Sequence, residues 1–181
     1  MTKKVWMITG GLVAGVGLLG LLTGGLYTMN IKGFGPTRDI RLAENLKSHL
    51  WLIPTYSDFS IPLVFHSHRE RPPYGLLLEI RDKRSQYRYQ SIEISEAVAA
   101  YKDGEVIRRP DAWARPLPSA GDLVLSERLD GLVPRHADVT ITLKGHLLKA
   151  DGEREAFEVI ETFTAQSRSG FAPYWTVMAS R

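Results

Sequence analysis

Two imidazoles two residues apart, in Phe65-His66-Ser67-His68, are the part of this chain best suited to chemistry. On a β-strand alternate side chains share a face, so His66 and His68 offer two nitrogen ligands to one metal ion. A zinc centre takes a third protein ligand and, when structural, a fourth, and no accompanying motif supplies either. Exposed histidines at a strand end are the plainer reading. Ser67 stands beside His68, but neighbours on a strand point to opposite faces, and no Gly-x-Ser-x-Gly elbow is present to hold a nucleophile. Glu153, Glu155, Glu158 and Glu161 are spaced as strand-surface carboxylates, with nothing to separate a proton donor from a base. The glycines outside residues 5–31 form neither a phosphate-cradling loop nor a dinucleotide fingerprint. No catalytic, cofactor-binding or metal-binding residue is therefore assigned, and no cofactor is expected. A hydrolase built on His66 or His68 is the weakest of the functional readings.

A contact surface is better represented. Residues 108–121 are too rich in proline for a central strand, and they set Trp113 among Arg108, Arg109 and Arg115. Trp and Arg anchor protein interfaces because each buries a large surface while keeping polar reach. The competing reading folds Trp113 back onto the sheet as a lid. A second aromatic turn, residues 169–175, adds Tyr174 and Trp175 as partner-binding candidates.

What would position these residues begins with a long uncharged run, residues 5–31, behind Met1-Thr2-Lys3-Lys4. At about 1.5 Å per residue a helix of that length crosses a hydrocarbon core of roughly 30 Å. A secretory signal has an apolar region of only about 7 to 15 residues. Thr23 and Gly25 are the best small pair for cleavage, and the chain has no cysteine for lipid modification. Trp6 and Tyr27 sit where aromatic side chains straddle headgroups. Residues 5–29 are thus read as an uncleaved transmembrane anchor. Gly10, Gly17 and Gly24 recur every seven residues along it and form a candidate helix-packing ridge, through which the chain would form a homo-oligomer. Glycine is also simply common in membrane helices.

The 181 residues carry 23 basic and 20 acidic side chains, a net charge of +3 with no long block of one sign, so a nucleic-acid partner is not expected. With no cysteine there is no disulfide, thiolate metal site or cysteine nucleophile. Lys32, Arg38, Arg41 and Lys47 after the run favour a cytoplasmic C-terminal side, whereas a short Lys-Lys start before an apolar run is typical of exported bacterial chains. The expectation adopted is a single-pass protein of a bacterial inner membrane with its C-terminal domain in the periplasm.

Residues 30–58, with Gly33, Gly35 and Pro36, read as a linker. Ile40, Ala43, Leu46 and Leu50 within it have helical spacing and suggest a short amphipathic helix over 39–50, the alternative being a strand over 49–53. From residue 60 the apolar period is two. It predicts strands at 61–65, 74–80, 90–95, 138–149, 155–165 and 174–179, turns at 71–73 and 81–84, and one helical turn over 96–101 before Asp103-Gly104. Val139, Ile141, Leu143 and Leu147 share a face with Phe157, Val159 and Phe163 only if the loop between their strands is odd in length. A three-residue loop at 150–152 is predicted, with Gly152 at positive φ in a bulge and with Leu147 beside Phe157 in one register. Residues 59–181 are accordingly read as an all-β domain, an antiparallel immunoglobulin-like β-sandwich, with a small barrel as the alternative.

The order Asp58-Phe-Ser-Ile-Pro-Leu-Val-Phe65, a charged Arg-Glu-Arg turn, then Tyr74-Gly-Leu-Leu-Leu-Glu-Ile80, resembles a family of bacterial envelope β-sandwich proteins found near type VI secretion effector genes. The resemblance implies an immunity-like or accessory role and carries no catalytic residues. Together these features favour a membrane-anchored periplasmic module that binds a protein partner in the cell envelope. The alternative is a structural subunit of an envelope complex assembled through its glycine-rich helix.

Overall fold

The computed structural model describes residues 14, 15, 18–20, 22, 24–43, 46–62, 64–81, 89–110, 113–117 and 125–175. Their contacts divide the chain into two compact units, one of residues 1–32, 56–70 and 167–181, the other of residues 33–55 and 71–166. Strands β1 (Leu26–Phe34), β2 (Arg38–Ala43), β3 (Leu46–Ile61), β4 (Phe65–Arg81), β8 (Leu125–Val133) and β11 (Ala165–Pro173) form a six-stranded sheet in the order β11-β1-β4-β3-β2, with β8 also on β4. Strands β5 (Tyr89–Tyr101), β6 (Val106–Arg109), β7 (Trp113–Pro116), β9 (Val139–Lys149) and β10 (Arg154–Phe163) form a five-stranded sheet in which β6 and β7 both pair with β5.

The larger unit is a two-sheet β-sandwich, as the alternating sequence predicts. One core joins Leu50, Tyr74, Leu76 and Ile80 of the first sheet to Ile92, Ile141, Leu143 and Phe163 of the second. In β5 the inward residues change parity, Ile92 and Ile94 being followed by Ala97, Ala99 and Tyr101. A bulge between Ile94 and Glu96 makes the change, and Ser95 Oγ donates to the Lys144 carbonyl there at 3.2 Å.

The β9–β10 hairpin has the three-residue loop that parity requires. Lys149 N–H donates to Glu153 O at 2.9 Å, Gly152 N–H donates to Lys149 O at 3.1 Å, and Asp151 Oδ1 accepts from Glu153 N–H at 2.9 Å. Gly152 has φ +88°, the left-handed conformation that closes a loop of this kind. The same Asp-Gly-Glu geometry recurs where Tyr101 N–H donates to Glu105 O across Asp103-Gly104. The register differs from the expected one by two residues: Phe157 lies opposite Gly145, and Leu147 opposite Glu155. Gly145 explains this, since a Cβ there would strike the Glu93 carbonyl and, at 2.7 Å, the Phe157 ring, which occupies the space instead.

Several expectations are corrected. Residues 30–58 are not a linker, because the end of β1, all of β2 and most of β3 lie within them, and among the described residues no helix forms over 39–50. Ile40 and Leu42 in β2, and Leu46, Leu50 and Leu52 in β3, are buried with period two, which overrides the weaker 3.6 spacing. Residues 96–101 are strand rather than a helical turn, and residues 71–73 lie inside β4 rather than bounding it. Pro72 and Pro73, which lack N–H donors, occupy the stretch of β4 after its last β1 partner, Glu70, and before its first β8 partner, Tyr74. Residues 62 and 64 are turn, so 61–65 is a hairpin bend rather than one strand. The fold is not purely antiparallel, since β1 runs parallel to β4 from Leu26↔Phe65 to Ile31↔Glu70.

The anchor reading falls largely outside the described residues. Ala14, Gly15, Leu18, Leu19, Gly20 and Leu22 are helical, but Leu26 to Met29 belong to β1, so a helix over 5–29 is too long at its end. Among the described residues no helix is long and apolar enough to cross a membrane. Gly10 and Gly17 lie outside the described residues; Gly24 is in a bend with φ +70° and is not part of a helix ridge.

Replacement of the fully buried Leu143 by Ala should cost about 2–5 kcal/mol of unfolding free energy. The same change at exposed Ile160, on the partner strand, should stay within about 0.5 kcal/mol. Denaturant unfolding followed by circular dichroism measures both.

Candidate functional site

The smaller unit holds His66 and His68. Turns at residues 62 and 64 lead from β3 into β4, and Val64 N–H donates to Ile61 O at 3.1 Å. Each step of two residues back along β3 is then answered by a step of two forward along β4, so one face of the hairpin carries Tyr56, Asp58 and Ser60 with His66, His68 and Glu70. Ser60 Oγ lies 2.7 Å from His66 Nδ1, and His66 Nε2 lies 3.2 Å from the Gly24 carbonyl. The carbonyl can only accept, so Nε2–H donates to it, while the Ser60 hydroxyl donates to Nδ1. Both ring nitrogens are engaged, and Tyr174 stacks on the ring with centroids 3.9 Å apart. His66 is therefore a brace between the hairpin and the turn at Gly24.

His68 is held differently. Its Nδ1 is 2.6 Å from Asp58 Oδ1 and its Nε2 is 3.1 Å from Glu70 Oε1, while Tyr56 stacks with it at 6.5 Å. With a carboxylate on each nitrogen the ring is stabilised as the doubly protonated cation. Burial works against the charge, but the hydrogen bonds to Glu70 and Asp58 outweigh it and hold the pKa above its ordinary value of 6.5. The two carboxylates flank opposite sides of the ring and do not converge. Among the described residues no group of three or more His, Cys, Asp or Glu side chains is placed to hold a metal ion.

Gly24 and Gly25 hold the start of β1 against this hairpin. Both are buried with positive φ, and a Cβ on Gly25 would lie 2.9 Å from the Val64 backbone. A Cβ on Gly24 would meet the Trp175 ring at 2.7 Å. Leu26 N–H donates to Val64 O, and Tyr174 N–H to Gly25 O, each at 3.0 Å. Tyr174 and Trp175, read as a contact pair, are a helical turn here rather than the start of a strand: Tyr174 is half-buried against His66, while Trp175 remains 52% exposed. Residues 176–181 lie outside the described residues.

The arginine-tryptophan segment belongs to the larger unit, and most of its described residues are strand. Trp113 pairs with Ile94 and packs, half-buried, against the core, with the Arg115 guanidinium 5.3 Å from its ring. Arg115 Nε donates to Glu127 at 3.0 Å, Arg108 to Glu96 at 2.9 Å, and Arg109 to the Asp130 carbonyl at 3.4 Å. Residues 111, 112 and 118–124 lie outside the described residues. The fold places Arg108, Arg109, Trp113 and Arg115 on one sheet edge of the larger unit, while Tyr174 and Trp175 belong to the smaller unit. Sequence reasoning misses Asp58, Ser60 and Glu70, whose signal is the alternation 56/58/60 and 66/68/70 once the bend is put at 62–64.

Because its folded-state pKa is raised, His68 stabilises the fold fully below 6.5, and this contribution is lost as the pH rises through the folded value. Melting temperature should fall over that interval in the parent chain and fall less in His68→Gln. Equal slopes in the two proteins would remove His68 as the source.

Comparison of the chain with protein-family models, with curated proteins and with solved structures returns no match.

Proposed function

We propose that this chain is a membrane-tethered binding module, non-enzymatic, that presents its β-structure on the periplasmic side of a bacterial inner membrane to a protein partner. The observation that carries the tether is a segregation of surface. Of the described large apolar side chains that are exposed, all but Val106 and Ile160 belong to the smaller unit, the unit that contains the uncharged run. Leu18, Leu19 and Leu22 are each more than half exposed on helical turns within that run, which suits residues surrounded by lipid.

Binding rather than catalysis is favoured by the state of the polar groups. His66 and His68 have both nitrogens occupied by partners within the fold. For the partner surface the β6/β7 edge is the better candidate. Two four-residue strands, interrupted between Arg109 and Trp113, leave a broken edge carrying Arg108, Arg109, Trp113 and Arg115. Stacked Arg-Trp pairs at a sheet edge give a rigid amphipathic contact area. An immunity-like or accessory role beside a secretion system is the form this reading takes from the family resemblance. Assembly through a glycine ridge is less favoured, because Gly24 stands in a bend with φ +70°.

Cross-linked partners recovered from membranes with the parent chain should be lost with Trp113→Ala/Arg115→Ala, while the variant still floats with the membranes. Recovery of the same partners with the double variant would remove this edge from the account.

A further inference from the structure

Three stretches free of Asp, Glu, Lys and Arg meet at one end of the smaller unit: residues 59–65, residues 169–175 and the close of the run 5–31. Their junction is built by backbone. Leu26 N–H bonds to Val64 O, Leu26 pairs with Phe65, and Tyr174 N–H bonds to Gly25 O. The side chains left exposed there are Leu26, Phe59, Ile61, Val64, Phe171 and Trp175. Phe171 is 79% exposed and Val64 49%, so these are large apolar groups in the open rather than the rim of a core.

We propose that this end is a lipid-interface seat, a surface that rests among the headgroups and upper acyl chains of the bilayer. The inference builds on the tether proposed above and adds which part of the β-structure lies in the membrane surface. Three features select lipid over a protein partner. The surface is continuous with the uncharged run: exposed Leu18, Leu19 and Leu22 lead through Gly24-Gly25 directly into Leu26. It is made of Trp, Phe, Ile, Leu and Val with no formal charge in its segments, whereas protein interfaces draw on Arg and carry a polar rim. The hairpin is also two-faced. Phe59, Ile61 and Phe65 alternate with Ser60, His66 and the His68 carboxylate pairs, so one face can enter the interface while the other stays in water.

The chain has no cysteine, so single-cysteine variants can be labelled without background. Ile61→Cys and Phe171→Cys test the seat, and Ile160→Cys, exposed in the larger unit, is the reference. Each full-length variant, labelled with an environment-sensitive fluorophore, is reconstituted in vesicles of phosphatidylcholine and phosphatidylglycerol, with and without a headgroup-level lipid quencher. Labels at 61 and 171 should shift to shorter wavelength and be quenched several-fold more than the label at 160. If the chain floats with the vesicles but labels at 61 and 171 behave like that at 160, the seat is overturned and the tether stands. Labels shielded from aqueous iodide yet untouched by the lipid quencher would mean that protein covers this end, which also overturns it. A chain that does not float at all overturns the tether and the seat together.

Discussion

The hydrogen bond from Leu26 N–H to Val64 O begins the ladder on which the smaller unit depends. It joins the end of an uncharged run to the tip of the β3–β4 hairpin and sets the parallel register from Leu26↔Phe65 to Ile31↔Glu70. The approach is close because Gly25 has no side chain to collide with the Val64 backbone, and the bend is available because Gly24 and Gly25 both adopt positive φ. With that junction made, the Gly24 carbonyl falls within reach of His66, and Trp175 covers Gly24. Apolar surface from three distant parts of the sequence is thereby brought to one end.

The two faces of the hairpin follow from strand alternation, and they divide the labour of the unit. On one, carboxylates and a serine hydrogen-bond two imidazoles and hold the hairpin together. On the other, Phe59 and Phe65 approach with ring centroids 6.4 Å apart beside exposed Ile61. A face of this composition is costly in water, at roughly 25 cal/mol per Å² of apolar area. The larger unit stands apart in character: its apolar residues fill a shared core, and Lys102, Arg108, Arg115 and Arg135 are each paired with a carboxylate.

How much of this could be read from sequence depends on which signal was local. The β9–β10 loop was legible because parity admits only an odd loop, and Asp151-Gly152 supplies the bend; the register was not, because Gly145 matters only once Phe157 needs room. The strands at 38–43 and 46–61 were obscured by an accidental helical spacing of Ile40, Ala43, Leu46 and Leu50, although Leu42 and Leu52 mark the period-two pattern that tertiary burial selects. At the site, the histidines were visible and their partners were not. The alternation over 61–65 carries no sign of the bend that brings Asp58 and Ser60 beside them. The expected helix over 5–29 runs too far because an uncharged strand and an uncharged helix look alike until the glycines between them turn.

The central claim is that the uncharged run remains part of the chain and holds the β-structure at a bilayer. Intact mass of the protein recovered from carbonate-washed bacterial membranes tests it most directly. The account predicts a carbonate-resistant species whose mass includes residues 5–23. A species starting beyond residue 25, or release of the chain by carbonate, would contradict it.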